Sequence, residues 1–139
     1  MKIAVSACLL GQNCKYDGGN NYSDKVHRFI EGHEVIAVCP EVAGGLPTPR
    51  VPAEIVKGIV TMKDGKNVDA EFRRGAQLET KKIIDNHVDL CILQSRSPSC
   101  GVKQIYDGTF TGCKISGQGV FAQMLCEKGI KVIDVEDLP

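Results

Sequence analysis

No stretch of this 139-residue chain is apolar for long enough to cross a bilayer, which excludes a helical membrane span. The chain also carries no excess charge, with 17 Lys and Arg against 17 Asp and Glu. Nothing in that balance favours a polyanionic partner, so nucleic acid and acidic membrane surfaces are disfavoured. Met1-Lys2 leads straight into a four-residue apolar run, without the longer apolar core of a secretory signal, and a cytoplasmic location is expected. Phosphate-binding fingerprints are absent: neither Gly-x-Gly-x-x-Gly nor the Walker pattern stands where a first strand meets a helix. Close cysteine pairs are absent too. Without Cys-x-x-Cys a thioredoxin-like redox site is disfavoured, and the zinc and ferredoxin spacings are missing. The three histidines, His27, His33 and His87, fall in or just after predicted helices. A Cys–His hydrolase is therefore hard to assemble.

What the chain does have is cysteine, seven in all. An odd number cannot pair fully within one chain, and a reducing compartment disfavours structural disulfides. Cysteine is also a small hydrophobe that is often simply buried. That reading suits Cys91 inside a strand, Cys126 on the apolar side of the last helix, and Cys113 in a hairpin. It suits Cys8, Cys14, Cys39 and Cys100 poorly, since these stand among Gly, Pro, Ser and Asn.

Three short apolar runs read as buried strands: Lys2-Ile3-Ala4-Val5, Val35-Ile36-Ala37-Val38 and Leu90-Cys91-Ile92-Leu93. Ser23 or Asp24 is expected to cap a helix through about residue 31, ended by Gly32. Glu41 to Ala53, with its glycines and prolines, is expected to be neither helix nor strand, and such loops are usually functional. Residues 54–68 suggest a small hairpin around Gly58 and Asp64-Gly65. Asp69 is the expected cap of the longest helix, 70–86. A second excursion over 102–116 carries Asp107-Gly108 as its hairpin turn. A helix near 118–127 and a strand over 130–135 complete the chain. Strands alternating with helices predict an α/β class. The expected architecture is a single domain over 1–139, a Rossmann-like three-layer fold. Its mostly parallel sheet has about four strands, plus two hairpin excursions.

Cys8, Cys39 and Cys100 each follow one of the three apolar runs. In a parallel sheet the loops at the carboxyl ends of the strands form one crevice, so these thiols should converge. A convergent soft-ligand set points to a metal or iron–sulfur cluster. A catalytic thiol and plain core cysteines remain open at this level, as does a metal-holding sensor module without turnover. Glu41, two residues past Cys39, would exchange a proton in such a pocket or serve as an exposed loop residue. Ser97 and Ser99 would orient a substrate or water, or only cap backbone groups. Gly44, Gly45 and Gly101 allow close approach of a ligand or satisfy turn geometry. Arg50 would pair with an anionic substrate group or a surface carboxylate.

Three ordered motifs carry a more specific signal. They are Ser6-Ala7-Cys8-Leu9-Leu10-Gly11-x-x-Cys14-Lys15-Tyr16-Asp17-Gly18, then Cys39-Pro40-Glu41-Val42-x-Gly44-Gly45-Leu46-Pro47-x-Pro49-Arg50, and Ser97-Pro98-Ser99-Cys100-Gly101. Together they resemble a widespread family of small bacterial proteins that includes the thiouracil desulfidases. The resemblance covers essentially the whole chain; Lys15 stands where arginine is more usual. It implies a [4Fe-4S] cluster held by Cys8, Cys39 and Cys100 with the fourth iron open, and Cys14 close by without an assigned bond. It further implies non-redox removal of sulfur from a small thiolated heterocycle such as thiouracil, releasing hydrosulfide and the carbonyl product. Glu41 would move protons, and Ser97, with Ser99 as the alternative, would orient substrate or water. Arg50, Gly44 and Gly45 would line the substrate side.

Overall fold

The computed structural model describes residues 1–139. The three apolar runs pair as predicted, and a fourth strand joins them. The sheet is built from β1 (Lys2–Ser6), β2 (Glu34–Val38), β5 (Leu90–Leu93) and β8 (Val132–Asp134), in the order β2-β1-β5-β8. All three pairings are parallel, with Ser6 opposite Val38, Val5 opposite Ile92 and Leu93 opposite Asp134. The central strands β1 and β5 are apolar segments buried on both faces, as a parallel sheet requires, while the edge strand β2 is exposed at Glu34 and Val35.

Alternation along the strands divides the core in two. Ile3, Val5, Leu90 and Ile92 pack with Val26 of α1 (Asp24–Ile30) and with Leu9 of a 3-10 turn, Ala7–Leu10. Ala4, Cys91 and Leu93 face the other way, onto Phe72, Ala76 and Ile83 of α3 (Asp69–Asp85) and Phe121, Ala122 and Leu125 of α4 (Val120–Glu127). The result is three layers in one domain. Two antiparallel hairpins stand outside the sheet: β3 (Ala53–Val56) with β4 (Ile59–Met62), and β6 (Gln104–Tyr106) with β7 (Lys114–Ser116). No helix is long and apolar enough to cross a membrane.

Several local expectations need correction. Ser23 caps α1, accepting from Val26 N at 3.2 Å, but Asp69 does not cap α3. Val68 takes the cap position, and the Asp69 carboxylate instead accepts from Val60 N and pairs with Arg73. The buried stripe of α3 runs Phe72, Ala76, Glu79, Thr80, Ile83, leaving Leu78 and Ile84 about half exposed. Its helical period is regular once Glu79 is admitted as a buried position. The loop after Cys39 contains one helical turn, α2 (Pro40–Ala43). Pro40 begins it because proline's fixed φ suits a first helical position. Asp107-Gly108 is not a two-residue hairpin turn. Either type of two-residue hairpin turn needs positive φ at its first residue, which Asp107 lacks, so a seven-residue loop, 107–113, joins β6 to β7. The two-residue turn is at Lys57-Gly58, φ 50° and 80°. Cys113 and Cys126 are exposed rather than buried.

The contact between α2 and α3 sets the position of the Cys39 loop. Gly44 and Gly75 face each other so closely that a Cβ on Gly44 would overlap Glu71 O, and one on Gly75 would overlap Pro40 O. These glycines are packing devices. Gly75→Ala should lower stability in urea unfolding by about 1–3 kcal/mol through overpacking, although alanine is favoured over glycine inside a helix by about 1 kcal/mol.

Candidate active site

A cleft of about 530 Å³ opens at the carboxyl ends of β1, β2 and β5. It is lined by Cys8 after β1, Cys39 and Glu41 after β2, and Ser97, Ser99 and Cys100 after β5. Cys14 and Arg50 also reach it. Gly44 and Gly45 do not line it, because Gly44 is spent on α3, and Gly45 lies against the Arg74 guanidinium. The proposed substrate-side role for this glycine pair therefore has no geometric support. None of the three histidines lines the cleft; His27 stacks on Tyr22 and His33 meets the N-terminal amine.

Each cysteine is held by a different local device. Cys8 is buried, and Asn21 reaches back over it, donating from Nδ2 to its sulfur at 3.5 Å. Cys39 N–H donates to the buried Glu79 carboxylate of α3 at 2.9 Å. Cys100 N–H donates to Ser97 Oγ at 3.0 Å. Burial pushes the Cys8 and Cys100 thiols up from their ordinary range. Cys39 goes the other way, lowered to about 7 chiefly by the neighbouring Cys14 thiol, and Cys14 is raised by the same interaction. The nearby Val42 N–H lowers Cys39 further.

Beside the cysteines runs a directed chain of hydrogen bonds. Arg50 Nε donates to Glu41 Oε1 at 3.1 Å, and Ser99 Oγ donates to Glu41 Oε2 at 2.9 Å. A hydroxyl has one proton to give. With that of Ser99 committed to Glu41, the 2.9 Å contact between the two serines has Ser97 as donor. Ser97 Oγ in turn accepts from the N–H groups of Ser99 and Cys100. Ser99 is 1% exposed while Ser97 is half-buried, so Ser97 is the end of the chain nearer solvent. Arg50 is nearly consumed by the protein: Nη1 donates to Pro47 O and Thr48 Oγ1, and Nη2 donates to Cys14 O at 2.8 Å. Its side chain is 4% exposed. An arginine bonded in this way holds the loops and Glu41; it has little left for a substrate anion.

Several site residues escaped the sequence. Glu79 was detectable only as a charge on the apolar stripe of α3, and Asn21 only as one polar residue in a turn-rich loop. Ser95 and Asp134, joined by a buried 2.5 Å hydrogen bond, anchor the β5 loop to the last strand. Arg96 reinforces that anchor through a bidentate pair with Glu136.

Known proteins share this chain's sequence pattern and fold. A family model described as 2-thiouracil desulfurase matches residues 3–137. The chain belongs to this desulfurase family. A Bacillus subtilis (strain 168) relative, the uncharacterized protein YbbK, is 36% identical over 98% of this chain and 97% of its own length. Among solved structures, the [4Fe-4S]-dependent thiouracil desulfidase TudS superposes with a TM-score of 0.93. It is 42% identical, over 99% of this chain and 93% of that one. The desulfurase family and the TudS fold account for the whole three-layer domain and both hairpins.

The Arg50–Glu41 pair should be a measurable part of stability. Arg50→Met leaves a nearly buried carboxylate and three carbonyl or hydroxyl oxygens without their donor, and should cost about 3 kcal/mol in urea unfolding. Glu41→Gln retains an acceptor for Arg50 and should cost about 1 kcal/mol.

Proposed function

We propose that this protein removes sulfur from a thiolated pyrimidine such as thiouracil by non-redox hydrolysis, with a [4Fe-4S] cluster held by Cys8, Cys39 and Cys100. Water supplies the oxygen of the carbonyl product, and sulfur leaves as hydrosulfide. The observation that carries this reading is the meeting of three strand-end cysteines with the Ser97–Ser99–Glu41 chain in one cleft.

The donor set suits a cluster. Its sulfur ligands are soft, and they are distributed around a wide cleft. No three His, Cys, Asp or Glu side chains are gathered closely enough to hold a single metal ion. Cys8, Cys39 and Cys100 would hold the cluster through their sulfurs. When bound, the cluster supplies an iron Lewis acid matched to a thiocarbonyl sulfur, which makes the attached carbon more electrophilic.

The protein's own residues divide the remaining work. Glu41 accepts at both carboxylate oxygens and is the group that takes and returns the proton of the attacking water. Ser97 lines the cleft at the solvent-side end of this chain; it orients water or substrate by exchanging its bond to Ser99, and Ser99 links it to Glu41. Arg50 is a positioning residue. It fixes the Glu41 carboxylate and, through Cys14 O, the loop that carries Cys8 and Cys14. Cys14 neighbours Cys39 and is assigned no bond to the cluster in this reading.

Anaerobically purified or reconstituted protein should contain about four iron and four sulfide per chain, the composition of one such cluster. It should release hydrosulfide from 2-thiouracil. Cys8→Ala, Cys39→Ala and Cys100→Ala should each lose iron, while Cys14→Ala retains it; equal loss in Cys14→Ala would require a different ligand set. Protein without a cluster after anaerobic reconstitution would overturn the reading. Glu41→Gln should keep full iron content and lose about 100-fold or more in kcat, the scale of general acid–base catalysis. Near-normal turnover in that variant would remove Glu41 from the reaction. Ser99→Ala should reduce kcat with iron content intact, because it cuts the link between Ser97 and Glu41.

A further inference from the structure

The chain is poor in aromatic residues, with four Phe, three Tyr and no Trp. Phe72 and Phe121 are in the core, Phe29 packs beside α1's apolar cluster, and Tyr22 stacks on His27. The remaining three, Tyr16, Tyr106 and Phe110, all line the cleft. Phe110 is the most unusual of them. It is half-buried and its backbone lies in the left-handed region, at φ 58°, where a bulky side chain costs about 1 kcal/mol or more.

Two contacts maintain that conformation. Glu54 of β3 accepts from Gly108 N at 2.9 Å and from Phe110 N at 3.2 Å with the same oxygen. Gly108, at φ 92°, passes so close to β3 that a Cβ there would lie 2.7 Å from Ile55 O. The 107–113 loop is thereby clasped to the first hairpin, and the clasp brings an apolar ring to a cleft whose other lining residues include Lys15, Lys63, Gln94 and Arg96. A strained backbone that delivers a flat apolar surface into a binding cleft indicates ligand contact more than folding, since the ring contributes to neither core cluster.

We propose that Phe110 is a specificity-determining residue: the ligand's planar heterocycle stacks on its ring, and Glu54 is the positioning residue that holds the loop. The identity of the ligand as a thiopyrimidine rests on the desulfuration reading; the stacking contact is tested by binding as well as turnover. Stacking of a base on an aromatic side chain is sequence-tolerant because every base has a π-face. It should therefore select planar unsaturated rings over saturated ones.

The experiment measures equilibrium binding of 2-thiouracil, and of its saturated 5,6-dihydro analogue, to the cluster-loaded protein. Wild type should prefer the planar ring. Phe110→Ala should bind 2-thiouracil about tenfold more weakly and lose that preference, with KM rising by a similar factor and iron content unchanged. Phe110→Tyr, which keeps the ring, should bind within about twofold of wild type, and Glu54→Ala should follow Phe110→Ala. Unchanged binding in Phe110→Ala, or a Phe110→Tyr as weak as Phe110→Ala, overturns the proposal, as does a wild type without preference for the planar ring. Ring-selective binding with no hydrosulfide release would instead overturn the desulfuration reading and leave the stacking contact standing.

Discussion

One buried guanidinium links the parts of the cleft. Arg50 binds Glu41, the backbone oxygens of Cys14 and Pro47, and the Thr48 hydroxyl. Through Glu41 it reaches Ser99, and through Ser97 the backbone of Cys100. Loops that follow β1, β2 and β5 are thereby joined by side-chain hydrogen bonds at the one edge where the sheet no longer joins them. A planar group with five fixed donors can do this where lysine could not, because its bonds are divergent and directional. The same carboxylate that anchors Arg50 is the proposed proton carrier, so structural support and chemistry share one ion pair.

The sheet and α3 provide the second level of support. Parallel pairing puts Ser6, Val38 and the residues after Leu93 at one edge. Ser6 Oγ accepts from Gln94 N, tying the ends of β1 and β5 together. Glu79 and the Gly44–Gly75 approach then set the Cys39 turn against α3. The two hairpins have another task. They stand outside the sheet, yet Glu54 from one clasps the loop of the other and closes a wall of the cleft.

Much of this was legible in the linear chain. Short apolar runs mark the strands, and a cysteine just beyond each run marks the common cleft. Those readings survive because strand direction is dictated by topology, not by side-chain detail. The readings that did not survive share a cause. Gly44, Asp69 and Asp107-Gly108 each match a local rule, for ligand approach, helix capping and a tight turn. In each case a tertiary neighbour uses the residue differently: Glu71, Val60 and the β3 backbone respectively. Cys126, expected on the apolar side of the last helix, is exposed because adjacent Leu125 takes the buried direction.

The sequence by itself determined the α/β alternation, the likeness to the desulfurase family, and the cysteines, Glu41 and serines gathered at strand ends. These follow from periodicity and from residues that bring their own chemistry. Only the tertiary structure decided which oxygen Arg50 holds, that Ser99 rather than Ser97 touches Glu41, and that Phe110 faces the cleft. Such decisions depend on single donor protons, burial of a few ångströms and a backbone angle. They are settled by what packs alongside, which spacing along a chain does not encode.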